Sequence, residues 1–198
     1  MDEQVLSAMA KWPHVPAVYG WLRLDARGNW HLIDRGAPGF DEARHGRGSP
    51  ITSPPIRDFI ERNYSCNDKG QWYWQNGPQR AYVDCDRAPL VLRVMTSHAQ
   101  SNEKNLMAHT GELVSKVISA VSDDAGNVFL DTNLGPAVVH DMDLAQLDIA
   151  ADNDTPILVW RGEFFPIKKA ESSLAELLGF DAQPRLRSTS LTEPSAQP

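Results

Sequence analysis

The stretch Asn67-Asp68-Lys69-Gly70-Gln71-Trp72-Tyr73-Trp74-Gln75-Asn76-Gly77-Pro78-Gln79-Arg80-Ala81-Tyr82-Val83-Asp84-Cys85 decides the fold. Asn67 to Gly70 has the chemistry of a type I turn: the Asn side chain bonds the backbone ahead of it, and Gly takes the positive φ that closes the loop. The residues that follow alternate with period two, so Trp72 and Trp74 share one face of a strand. Asn76-Gly77-Pro78 breaks that strand, and 79–85 returns antiparallel to it. A turn, a strand, a second turn and a returning strand make a β-meander.

The same signal occurs twice more. Asp25-Ala26-Arg27-Gly28-Asn29 precedes Trp30 and Leu32, and Asp123-Asp124-Ala125-Gly126-Asn127 precedes Val128 and Leu130. Each pair is expected on one strand face. Gly135-Pro136 follows the last copy much as Gly77-Pro78 follows the middle one, once an insertion is allowed. Self-similarity of this kind predicts two related halves. The expected class is α+β, predominantly antiparallel β, with each half a small meander carrying a packed helix. The expected boundaries are a first half over 1–95 with a helix near 54–64, a polar linker over 96–111, a second half over 112–181 and a disordered tail over 182–198. Ser53 and Pro54 suit a helix start, and Ile56, Phe59 and Ile60 form its apolar stripe. Read this way, the middle turn joins a helix to a strand. A second helix is expected near 172–178, with Gly179 as its left-handed cap.

Composition narrows the class. The chain has 198 residues, 41% hydrophobic and 23% charged, with a formal net charge of −7 and a pI near 5.3. That charge repels phosphate backbones, so no nucleic-acid partner is expected. Residues 1–13 lack a basic start and a long apolar run, and no stretch is long and apolar enough for a bilayer span, so neither a signal peptide nor a membrane partner is expected. Cys66 and Cys85 are too few for a disulfide framework and are read as reduced thiols in the cytoplasm.

The runs Trp12-Pro13-His14-Val15-Pro16-Ala17-Val18-Tyr19-Gly20-Trp21-Leu22-Arg23-Leu24-Asp25, Phe59-Ile60-Glu61-Arg62-Asn63-Tyr64, Gln75 to Val83 and Phe129 to Gly135 resemble an uncharacterised proteobacterial family of unknown function. The layout is also similar to a second uncharacterised bacterial family with repeated strand-helix motifs. The resemblance implies no catalytic residue.

The densest polar-aromatic cluster supplies the ligand-binding candidates Arg80, Gln75, Asn76, Gln79 and Tyr82. A guanidinium among amides suits a carboxylate or phosphate, and bonding of these side chains to nearby backbone is the competing reading. Trp21 shares a face with Tyr19 and Arg23 and is the candidate exposed aromatic, whereas Trp30, Trp72 and Trp74 are assigned to the core. His140, Asp141 and Asp143 invite a metal, but neighbours on a strand diverge, and Asp143 is better used as a helix cap, so no metal site is expected. Ser65 and Cys66, placed at a helix end, lack an activating environment. No Gly-rich phosphate loop occurs, and no cofactor is expected. His109-Thr110-Gly111-Glu112 reads as a polar turn without a role. These readings favour a non-catalytic cytoplasmic binding or regulatory module for a protein partner or small ligand. The alternatives are an enzyme holding a small anionic substrate through Arg80 and a structural oligomerisation module, with catalytic residues and oligomeric state open.

Overall fold

The computed structural model describes residues 1–96, 104–152 and 155–186. All three Asp/Asn-x-x-Gly turns form, and with one hydrogen-bond pattern. The Asp25 carboxylate accepts from the backbone N–H of Arg27 and Asn29, both at 2.9 Å. Asn67 Oδ1 accepts from Lys69 and Gln71 at 3.0 Å, and Asp123 from Ala125 and Asn127 at 3.0 and 2.8 Å. Gly28, Gly70 and Gly126 each donate to the first carbonyl at 3.1 Å, with φ of +83°, +70° and +81°. Only glycine adopts that region without steric cost.

The elements run α1 (Glu3–Lys11), β1 (Val18–Leu24), β2 (Trp30–Leu32), α2 (Glu42–His45), β3 (Ser49–Pro50) and α3 (Pro54–Arg62), then β4 (Tyr64–Cys66), β5 (Trp72–Asn76) and β6 (Gln79–Cys85). They continue with β7 (Leu90–Thr96), β8 (Lys104–Ala108), β9 (Val117–Ser122), β10 (Val128–Thr132), β11 (Gly135–Val139), a 3₁₀ helix (Asp141–Gln146), β12 (Ile149–Asp152), β13 (Thr155–Trp160), β14 (Glu163–Lys169) and α4 (Leu174–Leu178). Two sheets result, ordered β3-β2-β1-β6-β5-β4 and β12-β13-β14-β9-β10-β11-β7-β8. The fold is α+β with mostly antiparallel strands.

Each sheet contains a hairpin and a three-strand meander, and the meander's last strand lies parallel to the hairpin's first. The orders are β4-β5-β6-β1-β2 and β9-β10-β11-β7-β8. The registers also correspond. Cys66 faces Trp72 as Ser122 faces Val128, and Trp74 faces Ala81 as Leu130 faces Ala137, a constant offset of 56 positions (67 to 123, 74 to 130). This offset needs no insertion, and it corrects the Gly-Pro alignment. Gly77-Pro78 is the two-residue turn between Asn76 and Gln79, while the equivalent turn is Asn133-Leu134, and Gly135-Pro136 already begins β11.

Other boundaries move too. The strand 90–96, expected in the first half, pairs in the second sheet, and the supposed linker contains β8; its residues 97–103 lie outside the described ones. The middle turn joins β4 to β5, not a helix to a strand, so Ser65 and Cys66 sit in an edge strand. Residues 3–11 form a helix that alternation did not suggest. In the expected tail, 182–186 are docked: Cys85 donates its N–H to Ala182 O at 2.8 Å, and Arg185 pairs with Asp84 at 2.5 Å. Residues 187–198 lie outside the described ones. Gly179 caps α4 at φ +72°, as its position predicts.

The first core packs Leu22, Leu24, Trp30, Val83 and Cys85 against Ile60 of α3. Burying Ile60 contributes about 1.5–3 kcal/mol, while Ile56 of the expected stripe is exposed. Leu32 is also exposed, because β2 ends there beside the short edge strand β3. The second core is larger and centres on Leu92, Leu106, Phe129, Leu130 and Leu158, with Leu174 and Leu178 of α4 packed against it. Asp143 does not cap the 3₁₀ helix. It is 1% exposed and accepts from Arg93 Nε at 2.6 Å and Val94 N–H at 3.0 Å, while His140 occupies the cap position. Among the described residues, no helix is long and apolar enough to cross a membrane.

Candidate functional site

The sheets meet where the Asp25–Gly28 turn lies on β7. A Cβ on Gly28 would stand 3.0 Å from His109 Cβ and 3.4 Å from Val91 Cβ, so the close approach requires glycine. Arg27 pairs with Asp141 at 2.7 Å and Arg87 with Asp123 at 3.3 Å across the same boundary. Inside it, four rings from separate elements converge. Trp30 of β2 and Tyr64 of β4 meet edge to face at 5.0 Å, Tyr64 and Trp72 of β5 lie 4.9 Å apart, and His109, just after β8, stands 5.5 Å from Trp30 and 6.0 Å from Tyr64.

Several polar atoms of this cluster are sealed from solvent without a partner among the described residues: Trp72 Nε1, His109 Nε2 and Thr110 Oγ1. His109 Nδ1 accepts from the Val91 N–H at 3.3 Å, which assigns the ring proton to Nε2. The residue as a whole is half-buried, but its imidazole is enclosed, and the ring governs the proton. Burial pulls its pKa down to about 4, against a weaker upward pull from Asp25. Tyr64 is satisfied by donating to Pro89 O at 3.2 Å, and burial holds its hydroxyl well above the usual phenol range.

Beside these rings opens a cleft of about 340 Å³. Tyr64, Trp72 and Leu134 form its apolar walls, and Glu61, Thr110 and Glu112 its polar ones. Its size fits a small molecule. Asp2 and Arg62, at the rim, pair at 3.2 Å. Glu61 and Glu112 have no ion pair among the described residues. Burial raises the Glu61 pKa; the Trp30 indole N–H opposes this, although it faces the carboxylate too loosely for a hydrogen bond of ordinary geometry.

Of the candidates taken from the sequence, Gln75, Arg80, Tyr82 and Trp21 lie elsewhere, on the opposite face of the first sheet from α3, while Asn76 and Gln79 alternate onto the α3 side at the hairpin end. Gln75 is 1% exposed; its Nε2 donates to Gly77 O at 2.9 Å and its Oε1 accepts from Arg80 Nε at 3.3 Å. The Arg80 guanidinium lies 4.5 Å over the Tyr73 ring. Tyr82 stacks on Tyr19 at 4.6 Å and accepts from Asn67 at 3.3 Å. Gln79 donates to Pro16 O at 3.0 Å, Asn76 is exposed near the turn, and Trp21 is 36% exposed. Sequence proximity thus brought these residues together, mainly in bonds to one another and to backbone. The cleft residues were missed because they come from the N-terminal segment, α3, β4, β5, the loop after β8 and the turn before β11, separated in sequence by up to 132 positions (Asp2 to Leu134). The polar run His109 to Glu112 was the one local signal. Asp141 and Asp143 are held by Arg27 and Arg93, and no group of three potential metal ligands occurs among the described residues.

Similarity to known proteins agrees with this absence of an assigned role. No curated protein matches the chain. Among solved structures, a DUF1285 family protein from Silicibacter pomeroyi DSS-3 is similar in fold, with a TM-score of 0.51 and 17% identity over 89% of this chain and 98% of that one. A DUF1285 family protein from Shewanella baltica OS155 gives a TM-score of 0.42 and 15% identity over 64% of this chain and 89% of that one. The family model DUF2944, described as "Protein of unknown function (DUF2946)", matches residues 1–185, and the chain belongs to that family.

Proposed function

We propose that this protein is a non-catalytic binding module that takes a small polar molecule in the cleft between its two sheets. The observation that carries this reading is the cleft itself, about 340 Å³, in which the apolar walls Tyr64, Trp72 and Leu134 stand against the polar side chains of Glu61, Thr110 and Glu112. A small molecule can cover those apolar walls while its polar groups bond the side chains opposite. An enzyme anchored by Arg80 gains no support, because that guanidinium is engaged with Gln75 and Tyr73. Cytoplasmic placement is supported by Cys66 and Cys85 standing as free thiols, one of them exposed. The shared strand order and constant register offset of the two meanders support an origin in two copies of one unit, bounded near 18–85 and 90–139.

The test is a thermal-shift screen of the full chain against common polar metabolites, repeated on Trp72→Phe and Thr110→Val. At least one compound raises the melting temperature of the wild type and loses that effect in both variants. A screen with no stabiliser, or with stabilisers acting equally on all three proteins, overturns the reading.

A further inference from the structure

The C-terminal segment beyond α4 lies on the first sheet as a bound peptide would, away from the cleft between the sheets. As far as Asp181 it is fixed. Phe180 is 6% exposed in the second core, the Asp181 N–H donates to Gly70 O at 2.9 Å, and Gln71 Nε2 donates to the Asp181 carboxylate at 3.0 Å. Ala182 only edges the second core, and the residues after it are held differently. Ala182 O accepts from the Cys85 N–H at 2.8 Å, Pro184 is buried, and the Arg185 guanidinium takes both oxygens of Asp84, at 2.5 and 3.0 Å. Gln183 and Leu186 are exposed, and so is half of the Arg185 side chain. So few contacts place this stretch at the low end of local stability. The same contacts define what fits beneath it: a carbonyl three residues before an arginine, a proline directly before it, and a planar guanidinium for a carboxylate. The Asp84 side chain is 12% exposed, so without Arg185 it is a nearly buried charge in need of a cation. The neighbouring guanidiniums do not replace it: Arg23 is held by Asp86, Arg35 by Glu42 and Arg87 by Asp123. The surrounding cleft, about 570 Å³, leaves room beside Arg185 for another chain to enter.

We infer that Asp84, the Cys85 N–H and the surface under Pro184 form a recognition site for a Pro-Arg-bearing segment of another protein, closed in cis by residues 182–186. The strap hinges after Asp181, lifts without disturbing α4 or the Asn67–Gly70 turn, and competes with the incoming segment for Asp84. The guanidinium decides the selectivity. It meets both carboxylate oxygens at once, which a lysine ammonium does only as a point charge.

Amide hydrogen exchange of the full chain, followed residue by residue by NMR, tests this. Arg185→Ala speeds exchange of the Cys85 N–H about tenfold or more, as loss of a charge-assisted bond requires, while the Asp181 N–H keeps its wild-type rate. The peptide acetyl-Ala-Gln-Pro-Arg-Leu-amide, added in large excess to that variant, returns the Cys85 rate towards the wild-type value, and the same peptide with lysine in place of arginine does not. Asp84→Asn speeds the Cys85 N–H as Arg185→Ala does, and the arginine peptide does not slow it. Arg185 is exposed, so its variant and the two peptides carry the test if Asp84→Asn perturbs folding. An unchanged Cys85 rate in Arg185→Ala, an equal acceleration at Asp181, no effect of the arginine peptide, or an equal effect of the lysine peptide overturns the inference.

Discussion

Replacing His109 by Gln should flatten the acid side of the stability profile. The enclosed imidazole has a pKa near 4 in the folded protein, against 6.5 when free. A depressed folded value means that the unfolded chain binds the proton more readily. The stability at stake is complete above pH 6.5 and is lost as pH falls through the folded value. The full difference corresponds to about 3 kcal/mol, of which about 2 kcal/mol is already lost at pH 5. Carboxylates titrate in the same region, so the quantity to measure is the difference between two proteins. Urea unfolding of wild type and His109→Gln at pH 7 and pH 5 provides it. Glutamine is neutral throughout and can still accept from the Val91 N–H. The wild type is expected to lose about 2 kcal/mol more than the variant over that interval. Parallel losses, within about 0.5 kcal/mol, would refute the reasoning, as would a His109 ring signal titrating near 6.5 by NMR.

Two further outcomes follow from the turns and from the buried ion pair. Gly126→Ala and Gly70→Ala both force alanine into positive φ, a cost of about 1–2 kcal/mol. Nothing lies within 4 Å of a Cβ at 126, whereas at 70 it would meet Gly179 O at 2.2 Å. Chemical denaturation should therefore show Gly70→Ala as clearly the more destabilised; equal losses would count against the docking of that turn on the C-terminal segment. Asp143→Ala leaves the Val94 N–H buried without its acceptor and strips Arg93 of its partner, costing about 2–4 kcal/mol. Arg93 is half exposed and can rehydrate once Asp143 is gone, whereas Arg93→Ala leaves the buried carboxylate without its counter-charge and should cost as much or more; a clearly smaller loss for Arg93→Ala in urea midpoints would contradict this account.

The candidate site shows where sequence reasoning stops. Gln75, Asn76, Gln79, Arg80 and Tyr82 were grouped because they are neighbours along a hairpin, and the hairpin does bring them to one region of the sheet. Their partners are one another and nearby backbone, which residue types alone do not disclose. The cleft depends on Glu61, Trp72 and Thr110 coming to line one space, and no periodicity or motif relates those positions. Two of the fold errors share that origin. The strand 90–96 reads as an addition to the first meander because of its place in the chain, yet it pairs in parallel with β11. Tyr64 to Cys66 follows a helix too closely to look like a strand, and becomes one through its register with β5.

Local chemistry was enough for the turns. An Asp or Asn four residues before an Asn or Gln, with Gly between, makes the same set of hydrogen bonds wherever it occurs, because every partner lies within five residues. The surroundings of each turn were beyond the reach of sequence. Gly28 is pressed against His109, Gly70 against Gly179, and Gly126 faces open space. A turn closes on itself whatever surrounds it, whereas the cleft exists only because the packing of the two sheets brings residues of α3, β5 and the loop after β8 to one place.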